Sequence, residues 1–229
     1  MKILFLSPGW PKGRLWGELG FKFPTLSLAS LAAVTPQDWD VSFHDDAVRA
    51  TNFDTDADLI ALTAMTAQAT RAYQLADAFR SRGKTVVMGG FHASNLPDEA
   101  LQHVDSVVVG EGELAWPQLL ADFQAGRLQR LYRADGLIDT ALIPSARREI
   151  FKGSGHLFTN TIQTTRGCPF DCEFCSVTAF YGRKYRKRPL EQVLAELQEL
   201  RKANSFVFFV DDNIVADRRY SLPLFEGMK

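Results

Sequence analysis

Thr85-Val86-Val87-Met88-Gly89-Gly90-Phe91-His92-Ala93 reads as a short, branched, apolar strand that ends in a pair of glycines. In open α/β sheets the carboxyl edge of the strands is where ligands bind, and glycine lets a large flat ligand approach the backbone; a tight turn would use the same residues. Just upstream, Ala67 to Arg82 keeps Ala72, Leu75, Ala76 and Phe79 on one helical face before Gly83 ends it. Leu59 to Leu62, Lys2 to Leu6, Val41 to Phe43 and Ser106 to Val109 repeat the strand pattern. Thr25 to Val34, entered after Pro24 and stopped by Pro36, reads as a helix, as do Asp98 to Gln102 and Glu113 to Phe123. The alternation predicts an α/β fold, with a flavodoxin-like or Rossmann-like parallel sheet wrapped on both faces over 1–124.

From 125 to 158 the periodicity fades into mixed charge, glycine and proline, which reads as a linker. A second unit, 159–229, opens with a strand over Thr161 to Thr165. Helix Leu190 to Lys202 follows, with Leu190, Val193, Leu194, Leu197 and Leu200 in one stripe. Phe206 to Val210 is nearly all apolar, as expected of a strand buried on both faces, and Arg218 to Met228 opens another helix. The unit is far shorter than the roughly 200 to 250 residues of a full (β/α) barrel. It is therefore expected to hold about two βα units of an incomplete barrel.

The three cysteines of the chain all fall in Arg166-Gly167-Cys168-Pro169-Phe170-Asp171-Cys172-Glu173-Phe174-Cys175. Thiolates are the soft ligands of iron-sulfur clusters, and a short C-x-x-x-C-x-x-C loop can aim three of them at three corners of a 4Fe-4S cube. One iron is then left open for a small molecule, which makes the site one for chemistry rather than electron storage. Structural zinc would need a fourth ligand such as His156 and usually uses two C-x-x-C-like pairs. An odd count in one loop makes no disulfide framework, and inert buried thiols are the remaining reading.

The formal charge of the 229 residues is −1, so the overall field advertises neither nucleic acid nor an anionic membrane. The apolar start, Met1-Lys2-Ile3-Leu4-Phe5-Leu6, is too short for a signal-peptide core, and no stretch reaches transmembrane length. A reducing cytoplasm is the expected setting.

Thr165 to Cys175, with aromatic Phe174 before the last cysteine, resembles the signature of radical S-adenosylmethionine (radical SAM) enzymes. Continued through Ser176-Val177-Thr178-Ala179-Phe180-Tyr181-Gly182-Arg183, it is similar to the branch with an N-terminal cobalamin-binding domain. The resemblance implies that Cys168, Cys172 and Cys175 hold a 4Fe-4S cluster whose open iron binds the amine and carboxylate of SAM. It further implies reductive cleavage of SAM to a 5'-deoxyadenosyl radical, with cobalamin as methyl carrier and methyl transfer to an unactivated carbon of a small-molecule substrate as the outcome. A reducing partner such as flavodoxin or ferredoxin is implied as well. Phe174 goes with SAM in this reading. So do Asp211 and Asp212 of Phe209-Val210-Asp211-Asp212-Asn213, which stand where the family has a G-G-E element for the SAM amine; helix capping is the plainer role for them. Gly89 and Gly90 match the glycine pair near the corrin nucleotide tail, and Thr63 the small hydroxyl residue after the preceding strand.

One departure stands out. The loop after the first strand reads Ser7-Pro8-Gly9-Trp10-Pro11-Lys12-Gly13 and lacks the D-x-H-x-x-G that supplies a histidine to cobalt, so the lower ligand is left unassigned. His44 and His92 at strand ends are expected to bond locally. In Val109-Gly110-Glu111-Gly112-Glu113 the last glutamate suits a first helical turn. The basic run Arg183-Lys184-Tyr185-Arg186-Lys187-Arg188 reads as a solvated loop, with RNA contact the sharper alternative. That alternative would make the chain a tRNA-modifying radical SAM enzyme, and a third reading is a non-catalytic metal-binding or electron-transfer protein.

Overall fold

In the computed structural model, residues 1–11, 23–156, 158–203 and 206–229 are described. Strand β1 (Lys2–Ser7) leads to helix α1 (Leu26–Ala33) and then to edge strand β2 (Asp40–Asp45). Next come β3 (Leu59–Thr63), α2 (Ala69–Arg80), β4 (Thr85–Gly89), two short helices, α3 (Gly90–Asn95) and α4 (Pro97–Ala100), and β5 (Ser106–Val109). Helix α5 (Gly112–Gln124) and β6 (Leu131–Arg133) complete the first unit. All six strands are parallel, in the order β2-β1-β3-β4-β5-β6. The chain steps to one side of β1 and then returns to the other, so the order reverses between β1 and β3. A crevice opens at such a switch point, outside the carboxyl ends of the strands.

The period of two along each strand sends alternate residues to opposite faces. Leu4, Leu6, Ile60, Leu62, Val86 and Met88 pack with Ala72, Leu75, Ala76 and Phe79 of α2 on one face. Ile3, Phe5, Leu59, Ala61, Val87 and Val108 pack with Leu28 and Ala32 of α1 and with Trp116, Leu119 and Leu120 of α5 on the other. Each large side chain buried this fully contributes about 1.5–3 kcal/mol. The strands expected over 1–124 are all present, each within two residues of its expected ends. Strand β6 falls inside the stretch read as linker, so the sheet runs past residue 124. Of its three residues only Tyr132 is buried, and its hydroxyl donates to Asp122 at 3.0 Å.

The second unit is smaller. Strand β7 (Thr161–Ile162), then β8 (Thr165–Arg166), helix α6 (Val177–Tyr181), β9 (Arg186–Lys187), helix α7 (Leu190–Ala203), β10 (Phe208–Phe209) and helix α8 (Arg218–Gly227) follow in order. β7 pairs in parallel with β10, and β8 pairs antiparallel with β9. Val193 and Leu200 of the expected stripe join Ile162, Tyr220 and Leu224 in its core, with Leu190, Leu194 and Leu197 packed around them. Two expectations need correction. The strand over Thr161 to Thr165 breaks at Gln163-Thr164, because the Thr164 and Thr165 amides turn to Asp211. The strand over Phe206 to Val210 shortens to two residues and is not covered on both sides: Phe208 is 41% exposed at a sheet edge.

Candidate cofactor site

A cavity of about 510 Å³ lies over the carboxyl ends of β1, β3, β4 and β5, at the switch point. Its floor includes Ser7, Thr63, Ala64, Gly89, Gly90 and Gly110; Gln163, Arg166, Phe180 and Tyr181 of the second unit form its roof. The volume is in the range of small-molecule sites. Thr63 and Gly90 meet closely: a Cβ built on Gly90 would stand 2.5 Å from Thr63 Oγ1 and 3.3 Å from the Ala64 backbone, at φ +91°. Both the positive φ and the close approach demand glycine there. At Gly89 a Cβ would make only ordinary contact, 3.5 Å from the Val108 carbonyl. The predicted trio Thr63, Gly89 and Gly90 thus shares one wall.

The roof is tied to the floor by charge. Arg166 reaches Glu111 Oε1 at 2.8 Å and Glu113 Oε1 at 2.5 Å, and Arg186 reaches both oxygens of Glu111 at 2.9 and 3.0 Å. All four groups are largely buried, and their charges sum to zero. Burial alone would raise the Glu111 carboxyl; the Arg186 and Arg166 hydrogen bonds outweigh it and hold the pKa below the usual range. Burial also works against Arg166, but its two glutamates raise its pKa. Glu113 therefore does more than complement a helix dipole. Arg188 likewise pairs with buried Glu196, Lys187 with Asp217 and Arg183 with Asp171. Arg186 and Arg188 are thus spent inside the molecule, while Arg183, Lys184 and Lys187 stay exposed, so the expected solvated loop holds for only part of the run.

Arg166 is also the root of the cysteine loop. Gly167 follows at φ +81°, where a Cβ would overlap the Lys184 carbonyl. The run after β10 holds this root in register. Asp211 Oδ1 accepts from the amides and hydroxyls of Thr164 and Thr165, Asp212 Oδ2 accepts from Gly167 N–H at 2.9 Å, and Asn213 Nδ2 lies 3.8 Å from Cys168 Sγ. Neither aspartate caps a helix, since α8 is capped by Asp217. Asp211 Oδ2 is buried without a hydrogen-bond partner among the described residues. Burial raises the Asp211 carboxyl against its threonine donors; burial raises Asp212 too, helped by the neighbouring Asp211 charge. Phe174 is 92% exposed, and the three cysteines are free thiols.

The histidines lie elsewhere. His156, the fourth ligand that a zinc site would recruit, is held between Asp45 at 3.2 Å and Ser154 at 2.8 Å. His44 bonds the Arg49 carbonyl, and His92 the Tyr73 hydroxyl at 2.7 Å. No three His, Cys, Asp or Glu side chains among the described residues converge on a site for one metal ion. A cubane asks for something different, one thiolate on each of three separate irons.

Residues 15–120 match the family model of the B12 binding domain, and residues 162–221 match that of the Radical SAM superfamily. The chain thus pairs a match to the B12 binding domain with a partial match to the Radical SAM superfamily that contains all three cysteines. The chain is 37% identical to the bacteriochlorophyllide d C-8(2)-methyltransferase of Chlorobaculum tepidum, over 77% of its own length and 41% of that relative's. It is 31% identical to the hopanoid C-2 methylase of Rhodopseudomonas palustris, over 92% of its own length and 41% of the relative's. It thus spans less than half the length of these curated relatives. Its fold is shared with the cobalamin-dependent S-adenosylmethionine radical enzyme OxsB solved with aqua-cobalamin and S-adenosylmethionine bound, at a TM-score of 0.78 and 16% identity, covering 99% of this chain and 36% of that one. It is shared also with the radical S-adenosylmethionine methyltransferase TsrM from Kitasatospora setae, at a TM-score of 0.76 and 15% identity, covering 98% and 50%.

The chain's own atoms suit the cofactors that those matches imply. The glycine wall and the room above it fit a flat macrocycle, and three free thiols are the donor set that a cubane takes. Sequence reasoning missed Glu111, Arg166, Arg186 and Asn213 as members of the site. The signals available were Arg166 immediately before Gly167-Cys168, Glu111 in the Gly-Glu-Gly-Glu run and Asn213 directly after the two aspartates.

Proposed function

We propose that the full-length protein is a cobalamin-dependent radical SAM methyltransferase that acts on an unactivated carbon of a small molecule. One observation carries this reading: a single cavity has the carboxyl ends of the sheet as its floor and the root of the cysteine loop as its roof. Cys168, Cys172 and Cys175 are assigned to a 4Fe-4S cluster, Asp211, Asp212 and Phe174 to SAM, and Thr63, Gly89 and Gly90 to cobalamin. When bound, these groups supply reductive cleavage of SAM and a methyl carrier, chemistry beyond the reach of side chains. The chain's part is to place them. Asp211 gives one oxygen to the threonines, and an ammonium N–H brought to the other would offset, by its positive charge, the burial that raises its carboxyl. Phe91 stacks on Phe180 at 4.3 Å, closing floor against roof with aromatic surface that excludes water.

The matched relatives are named for methylating bacteriochlorophyllide d and hopanoids, and a small-molecule substrate is carried over from them. No helix among the described residues is long and apolar enough to cross a membrane. The cytoplasm and a flavodoxin or ferredoxin donor belong to the proposal. Anaerobic reconstitution of the full-length protein tests it: four irons and four sulfides, corrin absorption, and 5'-deoxyadenosine formed from SAM under reductant are the expected results. One tightly held zinc and no corrin would overturn it.

A further inference from the structure

We infer that Asn213 is a positioning residue that tunes the iron-sulfur cluster by donating its side-chain amide to the Cys168 sulfur. The inference rests on the cluster assignment above and goes beyond it. Asn213 does not meet the sulfur by chance of rotamer alone. Three successive residues, Asp211, Asp212 and Asn213, contact Thr164–Thr165, Gly167 and Cys168 in the same order, so the two carboxylates fix the register that brings the third side chain to the thiol. The separation of 3.8 Å is within reach of an N–H···S contact, which is longer than one to oxygen because sulfur is larger. Both partners are half-buried, which strengthens the contact relative to one in open water.

A donor at a ligating sulfur withdraws negative charge from the cluster and offsets the extra electron of the reduced state, so it raises the reduction potential. Asn is suited to this and Asp is not. An aspartate would offer no N–H and would add a third carboxylate beside Asp211 and Asp212. Cys172 is exposed, and among the described residues Cys168 is the cysteine with a side-chain amide aimed at it. Cys168 is therefore the corner through which the chain adjusts the cluster.

The test uses the anaerobically reconstituted full-length protein and two variants, Asn213→Ala and Asn213→Ser, with the potential read by paramagnetic resonance during a redox titration. Asn213→Ala is expected to keep four irons and four sulfides while its midpoint moves negative, so that at a fixed poise the reduced-to-oxidised ratio falls about tenfold, or ~59 mV for a one-electron couple. Asn213→Ser, with a shorter donor, is expected to fall between. A second measurement needs no variant: wild-type protein carrying nitrogen-15 asparagine should show a nitrogen coupling to the reduced cluster. Full clusters with unshifted potentials in both variants would overturn the inference. So would loss of the cluster from Asn213→Ala together with an absent nitrogen coupling in the wild type. Failure of the wild type to assemble any cluster would instead strike the proposed function itself.

Discussion

Asp46, the residue after β2, shows how much one carboxylate can organise at the rim of the cavity. It accepts from the Gly9 amide at 3.2 Å, the Thr51 hydroxyl at 2.7 Å and two nitrogens of Arg71 at 2.8 and 2.9 Å, so it ties the exits of β1 and β2 to α2. Burial opposes its charge, but the Arg71, Thr51 and Gly9 donors prevail and bring the carboxyl down from 3.8 to about 2. A depressed carboxylate stabilises the fold above its unfolded value and loses that contribution as the pH falls through its folded one. Asp46→Asn is thus expected to melt below the wild type at pH 6, by an amount equivalent to about 1–2 kcal/mol. That gap should shrink as the pH is lowered from about 4 toward 2. Melting curves of both proteins across this window check it, and a gap independent of pH would mean that size and shape, not charge, matter at this position.

Between elements, the decisive contact is the neutral network of Glu111, Glu113, Arg166 and Arg186, which joins the loop before α5, the first turn of α5, β8 and β9. Removing one member of a buried set leaves an uncompensated charge, which costs about 3–5 kcal/mol, whereas removing a matched pair can cost much less. Arg166→Leu should therefore destabilise strongly, and adding Glu113→Leu should recover a large part of the loss. Urea unfolding of the single and double variants measures the coupling; strict additivity would show that the two side chains do not interact. This network also marks where the sequence stopped being legible. Strands such as Leu59–Thr63 and Thr85–Gly89 were readable because burial on both faces demands uninterrupted apolar residues. β6 was not, because three residues with one buried tyrosine carry no period. Arg186 and Arg188 read as surface because a local run of charge says nothing about carboxylates such as Glu111, 75 residues away in sequence from Arg186. The glycine pair and the cysteine spacing were readable for the opposite reason, since backbone freedom and ligand geometry are local demands.

For the molecule as a whole, the cavity belongs to neither unit by itself. Its floor is sheet edge and its roof is Gln163, Arg166, Phe180 and Tyr181, so a ligand filling it must touch both. A ligand bound only by the folded state stabilises by mass action, about 2.7 kcal/mol at a hundredfold excess over its dissociation constant. For a chain of this size that corresponds to a rise in melting temperature of roughly 5–10 °C. Hydroxocobalamin added to residues 1–229 is expected to produce such a rise. The segment 1–134, which keeps all six strands and loses the roof, should respond less at the same concentration, because the aromatic and ion-paired half of the wall is gone. Calorimetric scans of the two proteins, with and without the corrin, decide the point. Equal shifts would confine the ligand to the sheet edge, and a shift only in the longer chain would make the roof, and with it the Arg166 anchor of the cysteine loop, part of the cobalamin site.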